Sequence, residues 1–526
     1  MKKATLAVLL LLFVGIANAQ FKPVAEGPVF KEPEEGRAKI LQMKNGSTMF
    51  IVITAKKGID VQVYNEAHQQ IAVTNIEPAS IKLKVAELNG IFEIKGDVVL
   101  MLTAFESRTP TLHRLIIDGK TGNLKDEQTI AQLNKLGLFA GYAMVWGDVP
   151  QPDFFVRKDP ASDNYAVAMF NSFESDRSKR IEIVTYGSDN KEVSRAFYAS
   201  PQEHYKYLRY VDMTVLGSDK VCVLAYGYNT AHSGGKESEL ILANLDKGAT
   251  SVSFTELGFS KDMVVYWGLV KYSPAVKSLV LLAIVKGKEN DKGYTPILAF
   301  VDPFEKKFNS ADVIAPSERL NQYSKKGFTG LPQNLYVNND GTFTVISEEI
   351  QSFTNTSSMG TSSTSTTLGD MAVVNYSKTG KFVNDYLIRK SHDLSTYLSP
   401  FYMARREGTA QGLYKGNQFK SFAYLDGITK SYVLFNDTER NNEKQEKGSL
   451  VTVSGVSQSD GFYYTLSGPD AILKRDYVFG NPAGKRDHIL GLFSISDYDR
   501  INNLYVTLRL NNESGKKGVQ VVWLQP

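Results

Sequence analysis

Ser218-Asp219-Lys220-Val221-Cys222-Val223-Leu224-Ala225-Tyr226 is the stretch on which the fold turns. A polar turn opens into a run whose side chains, pointing alternately to the two faces of a strand, are nearly all apolar. A strand of a β-sandwich alternates instead, with polar residues on its outer side, so a run like this one belongs to a sheet covered on both faces. Equivalent runs recur at 49–53, at 98–102 after Gly96-Asp97, at 165–170 after Asp163-Asn164, at 279–285, at 342–346 after Asn339-Asp340-Gly341, at 432–435 and at 504–508. Their starting points lie about 65 residues apart on average.

Further β-prone runs flank these anchors, for instance 179–186 and 193–198, or 239–245 and 251–257, which gives about four strands per unit. Helical pattern is confined to 126–136, closed by Gly137, and 316–323. A repeat of this length exceeds a β-helix coil and falls short of a sandwich domain, but suits a propeller blade. The expectation is an all-β chain: one β-propeller of seven or eight four-stranded blades. Ring closure is expected to pair the last strand, 519–524, with N-terminal residues near 38–42, so that no sheet edge is left open.

Lys2 and Lys3, an apolar run at 6–16 and the small residues Ala17 and Ala19 read as a secretory signal peptide over 1–19. Cleavage would leave Gln20 first, with no cysteine for lipid attachment, and a periplasmic or extracellular destination. Residues 20–37 are read as an extended N-terminal arm and 38–526 as the propeller, with a Ser/Thr-rich hairpin insertion at 352–367. No later segment is apolar for long enough to span a bilayer as a helix. The 526 residues carry 60 Lys and Arg against 56 Asp and Glu, a net +4 that falls to +2 once Lys2 and Lys3 are removed. Nucleic acid is therefore not an expected partner. The single cysteine, Cys222, excludes an intramolecular disulfide and reads as a core residue.

Local catalytic motifs are missing. The six histidines show no His-Glu-x-x-His spacing. Gly119-Lys120-Thr121 has the end of a phosphate-binding loop, but Arg114 stands where its first glycine is needed. Two clusters have binding chemistry. Tyr205, Tyr207 and Arg209 would share one side of a strand, where aromatic faces beside a cation could take a sugar or peptide; packing of tyrosines between blades is the alternative. Asp497, Asp499 and Asn502 put oxygen ligands in one turn and could take calcium, although a plain hairpin explains them too; no other cofactor is expected.

The bacterial leader, the repeated apolar hairpins and segments such as Lys430-Ser431-Tyr432-Val433-Leu434-Phe435-Asn436-Asp437 resemble uncharacterised exported β-propeller proteins of the Bacteroidota. The resemblance spans most of the chain and implies no activity. The functional expectation is a non-enzymatic binding or scaffolding propeller of the cell envelope that contacts a protein or glycan through loops at one end of the ring. The alternative is a glycan hydrolase or lyase whose acidic and tyrosine side chains come together at the propeller mouth from different blades.

Overall fold

The fold is that of a computed structural model, which describes residues 21–147, 149–198, 204–229, 237–286, 293–323, 327–356, 362–403, 408–414, 416–444, 448–467, 473, 475–484, 487–513 and 516–526. The expected leader at 1–19 lies outside them. Eight antiparallel sheets follow one another along the chain as the blades of a propeller. Their innermost strands are, for blades 1 to 8, Glu35–Gln42, Ala86–Ile94, Asp153–Lys158, Tyr207–Leu216, Val264–Ser273, Leu331–Val337, Ala423–Asp426 and His488–Asp499. Each apolar run noted above is the second strand of its blade.

Eight apolar cores, one between each pair of neighbouring blades, show why those second strands carry so few polar residues. In blade 4, Val221, Val223 and Ala225 enter the core shared with blade 3, whereas Cys222, Leu224 and Tyr226 enter the core shared with blade 5. The last core joins Leu490, Val506 and Trp523 of blade 8 to Ile40, Phe50 and Val52 of blade 1, which closes the ring at eight.

Closure differs in detail from the expected pairing with residues near 38–42. Blade 8 is completed by Lys22–Glu26, which pairs with the final strand Lys516–Gln525, while Glu35–Gln42 is the inner strand of blade 1. Phe21 continues the seam, buried against the rings of Tyr432, Tyr463 and Tyr505. A second correction concerns residues 126–136, expected to be helical: Leu124–Gln132 is the outer strand of blade 2, and the helix lies further on, at Ala140–Trp146. Pairing with Thr109–Ile117 overrides the helix propensity of this polar run, and charged residues suit a sheet edge. The other expected helix is present as Glu318–Gln322, with Ser317 Oγ accepting from Leu320 N as its N-cap.

The Ser/Thr-rich segment extends the middle hairpin of blade 6, in which Phe343–Thr356 pairs with Ser362–Tyr376 as far as Thr356 and Ser362. Antiparallel alternation puts this hairpin, the other second-to-third-strand connections and all the interblade connections at one end of the ring. The opposite end has mainly tight turns, with left-handed residues such as Lys95, Asn190 and Lys277.

Candidate functional site

Residues that line the axis come from the inner strands; four of these strands carry a one-residue β-bulge, and the blade 8 strand shifts register between Gly491 and Ser496. Register shifts at Asn89, Val211, Tyr266 and Gln333 each add one residue relative to the neighbouring strand. A bulge re-aims side chains, and here the bulged Asn89 and Tyr266 line a cavity on the axis.

The described parts of the connection from blade 6 to blade 7, up to Met403 and from Gly408 onward, lie on opposite sides of the ring instead of passing directly to the next blade. Gln333 Nε2 donates to Pro400 O (2.6 Å), Phe401 stacks on Trp267 with ring centroids 5.1 Å apart, and Tyr402 OH donates to Glu348 Oε2 (2.7 Å). On the far side Ile91 N donates to Gly408 O (2.9 Å), and Gln411–Tyr414 adds a strand to the inner edge of blade 1. Glu348 also holds Lys390, at 2.5 Å, in an ion pair with no solvent exposure on either side chain.

Two cups remain, one at each end. The cup at the loop-bearing end has a volume of about 420 Å³ and includes Glu87, Asn89, Asp153, Arg209, Tyr266 and Trp267 in its lining. Arg157 and Asp212 line both cups. Their ion pair is fixed further by Val270 N, which donates to Asp212 Oδ2 (2.9 Å), and by Met213 O, which accepts from Arg157 Nε (3.3 Å). Beside the first cup, Tyr266 meets Tyr294 edge-on (5.0 Å) and Tyr294 meets Phe401 (6.1 Å). Burial pushes the Asp153 carboxyl up to about 6; the Glu87 charge adds to the rise, and the Phe154 backbone N–H opposes it. The opposite cup, about 610 Å³, is richer in tyrosine, with Tyr272, Tyr336, Tyr424 and Tyr498 beside Lys271 and Arg500.

Of the residues singled out in the sequence, Arg209 reaches the first cup. Its guanidinium lies 5.3 Å from the Tyr226 ring centre and donates to Val265 O (2.5 Å). Tyr207 shares its side of the strand, facing blade 5, but Tyr205 does not. The strand begins at Tyr207, so its alternation does not reach Tyr205, which is buried in the core between blades 3 and 4. Tyr207 packs against the core between blades 4 and 5, with Lys206 Nζ 5.0 Å from its ring centre.

Asp497 accepts from Gln42 N (2.8 Å) and Tyr498 N (2.9 Å) and so ties blade 8 to blade 1; burial pushes its carboxyl up. Asp499 closes the following turn, accepting from Ile501 N (2.9 Å), Asn502 N (3.1 Å) and Asn502 Nδ2 (2.5 Å). Among the described residues no three His, Cys, Asp or Glu side chains are grouped to hold a metal ion. None of the described helices is long and apolar enough to cross a membrane.

Glu87, Asn89, Asp153 and Tyr266 were not singled out in the sequence. Each lies in a different or bulged inner strand, and no spacing links them; the "Asn-Gly" of Asn89-Gly90 was their nearest local signal.

No protein-family model matches the chain, and neither does any curated protein. Solved structures are similar over much of the chain at low identity. The chain is 10% identical to the BP39L lectin from Burkholderia pseudomallei, covering 84% of this chain and 99% of the lectin with a TM-score of 0.40. It is 10% identical to an uncharacterized protein from Listeria monocytogenes EGD-e, covering 80% and 98% with a TM-score of 0.33. A prolyl endopeptidase structure is 11% identical, with 91% of this chain covered and a TM-score of 0.38; the chain spans 55% of that protein's length.

Proposed function

We propose that this protein is an exported, non-enzymatic binding propeller of the bacterial cell envelope that takes a glycan in the cup at its loop-bearing end. One observation carries this reading: aromatic rings (Tyr266, Trp267), hydroxyl-seeking groups (Glu87, Asn89, Asp153) and the Arg209 guanidinium line the same cup. A sugar has an apolar C–H face that rests on an aromatic ring, and hydroxyls that donate to carboxylate and amide oxygens. The envelope location rests on the leader at 1–19 and on the resemblance to exported Bacteroidota propellers. Calorimetry of the chain from Gln20 against neutral and acidic envelope glycans tests the proposal. Tyr266→Ala and Glu87→Gln are each expected to weaken binding by about ten-fold. A silent screen, or affinities unchanged in both variants, overturns it.

Asp153 favours a second reading, a glycan hydrolase or lyase at the same cup. A carboxyl pushed up to about 6 beside a second carboxylate has the division of environments that general acid catalysis uses. Cleavage of a bound glycan that is lost in Asp153→Asn while binding persists supports that reading; a ligand recovered intact rejects it.

A further inference from the structure

The cup at the tight-turn end of the ring, with a volume of about 610 Å³, has the size of a site for a small molecule. Residues from the inner strands of blades 2 to 8 line it. On one wall Lys271 Nζ of blade 5 lies 5.5 Å from the centre of the Tyr336 ring of blade 6, and that ring lies 4.2 Å from the Tyr424 ring of blade 7. Tyr272 of blade 5 and Tyr498 of blade 8 add two half-buried rings. Val215, Leu216 and Val337 supply aliphatic surface, and Pro160, Ala161, Pro274 and Ala275 form an exposed apolar rim.

The ionic groups of this cup are matched to one another. Arg157 pairs with Asp212, and Arg500 with Asp426 at 2.8 Å. Lys158 lies 3.9 Å from Asp163, and Lys44 and Glu93, which also face Lys158, offset each other. Lys271 and Asp159 are then left with opposite signs, so the lining has no net charge to select an ion. Its hydrogen-bonding groups are engaged as well. Arg500 Nη1 also donates to Asp426 O (2.5 Å), and Tyr498 OH donates to Asn503 Oδ1 (2.8 Å). Asp159 accepts from Ala161 N (3.0 Å), Ser162 Oγ (2.6 Å) and Gly217 N (2.9 Å).

We propose that this cup is a second binding site and that it takes a neutral, largely apolar aromatic compound. Such a ligand stacks on the tyrosine rings and leaves water without disturbing the paired charges. The hydroxyls of a sugar would have to compete with the bonds already made.

Benzophenone is the probe, because it is neutral and aromatic and, when irradiated, bonds covalently to the C–H groups around it. The test uses the chain from Gln20, since the apolar run at 6–16 would itself take up such a compound. Irradiation followed by peptide mass spectrometry is expected to place the adduct within 271–275, 336–339 and 424–426. Ala161→Trp and Ala275→Trp, made singly at the exposed rim, fill the mouth from two blades. Each is expected to lower labelling by about ten-fold with an unchanged unfolding temperature, and two separate sites keep the test valid if one variant folds poorly. Absence of labelling in the cup overturns the proposal, and so do adducts found only on the exposed helix Ala140–Trp146 or in the first cup. Labelling of the cup that neither substitution lowers overturns it as well. Protection by an excess of glucose or N-acetylglucosamine overturns it too, by assigning the cup to a sugar.

Discussion

Cys222 lies in the core between blades 4 and 5, its Sγ 3.2 Å from Asn244 Oδ1, and burial pushes the thiol up to about 12. A thiol kept neutral and sealed is inert, so a disulfide reagent at pH 8 is expected to label the protein in guanidinium and not in buffer; labelling of the native protein at the free-thiol rate would show the core to be open. Asp153 has the opposite relation to pH from most carboxylates. Its folded value, about 6, exceeds the ordinary 3.8, so the folded state holds the proton more tightly than the unfolded one. Its contribution to stability is complete below the unfolded value and is lost as pH rises through 6. Partial solvent access limits the loss to on the order of 2 kcal/mol. Asp153→Asn should therefore flatten the pH dependence of the unfolding temperature between acid and neutral pH, and an unaltered profile counts against the assignment. The buried Lys390–Glu348 pair is a different case, because removing one partner strands the other charge. Glu348→Ala is expected to cost about 3–5 kcal/mol in denaturant unfolding and Lys390→Met with Glu348→Met less than either single change.

At the level of elements, the second strand of each blade was legible because both its faces are buried and its sequence has no polar alternation. The inner strands were harder to read. They are bulged and half polar, and their side chains answer to the axis instead of to a neighbouring blade. Residues 126–132 looked helical by composition and became an edge strand by pairing, since charged residues tolerate a sheet edge while the ladder supplies the hydrogen bonds. Strand packing is also testable at Gly227, where an added Cβ would lie 2.7 Å from Tyr205 Cδ2 and 3.0 Å from Ile241 Cδ1. Gly227→Ala should cost about 1–3 kcal/mol by overpacking, and Tyr205→Ala in the same chain should recover part of it in urea titrations. Equal stability of Gly227→Ala and the unaltered chain would mean that the blade 3 and blade 4 faces are loosely packed.

At the scale of the whole molecule, closure joins residues about 500 positions apart: Lys22 pairs with Gln525 and Arg509 forms an ion pair with Glu26 (2.6 Å). Deletion through Glu26 is expected to expose the edge of the last strand, lower the unfolding temperature and promote aggregation seen by size-exclusion chromatography. Phe21→Ala should account for about 3–5 kcal/mol of that loss; wild-type stability in both variants would place closure elsewhere. The cup and the helix Ala140–Trp146 lie at the same end of the ring because antiparallel meandering sends every interblade connection there.

The sequence by itself determined the all-β class, the repeat and the propeller, since burial on both faces writes a continuous apolar run into every blade. It also determined the inert cysteine, which follows from a position inside such a run. Tertiary structure alone decided that the blades number eight, that residues 22–26 close the ring and that the blade 6 to blade 7 connection reaches across to blades 2 and 1. Those outcomes depend on contacts between residues tens to hundreds of positions apart, and no local period encodes which partners meet. The cup has the same origin: Glu87, Asp153, Arg209 and Tyr266 come from four inner strands, and only ring geometry brings their side chains to one cavity.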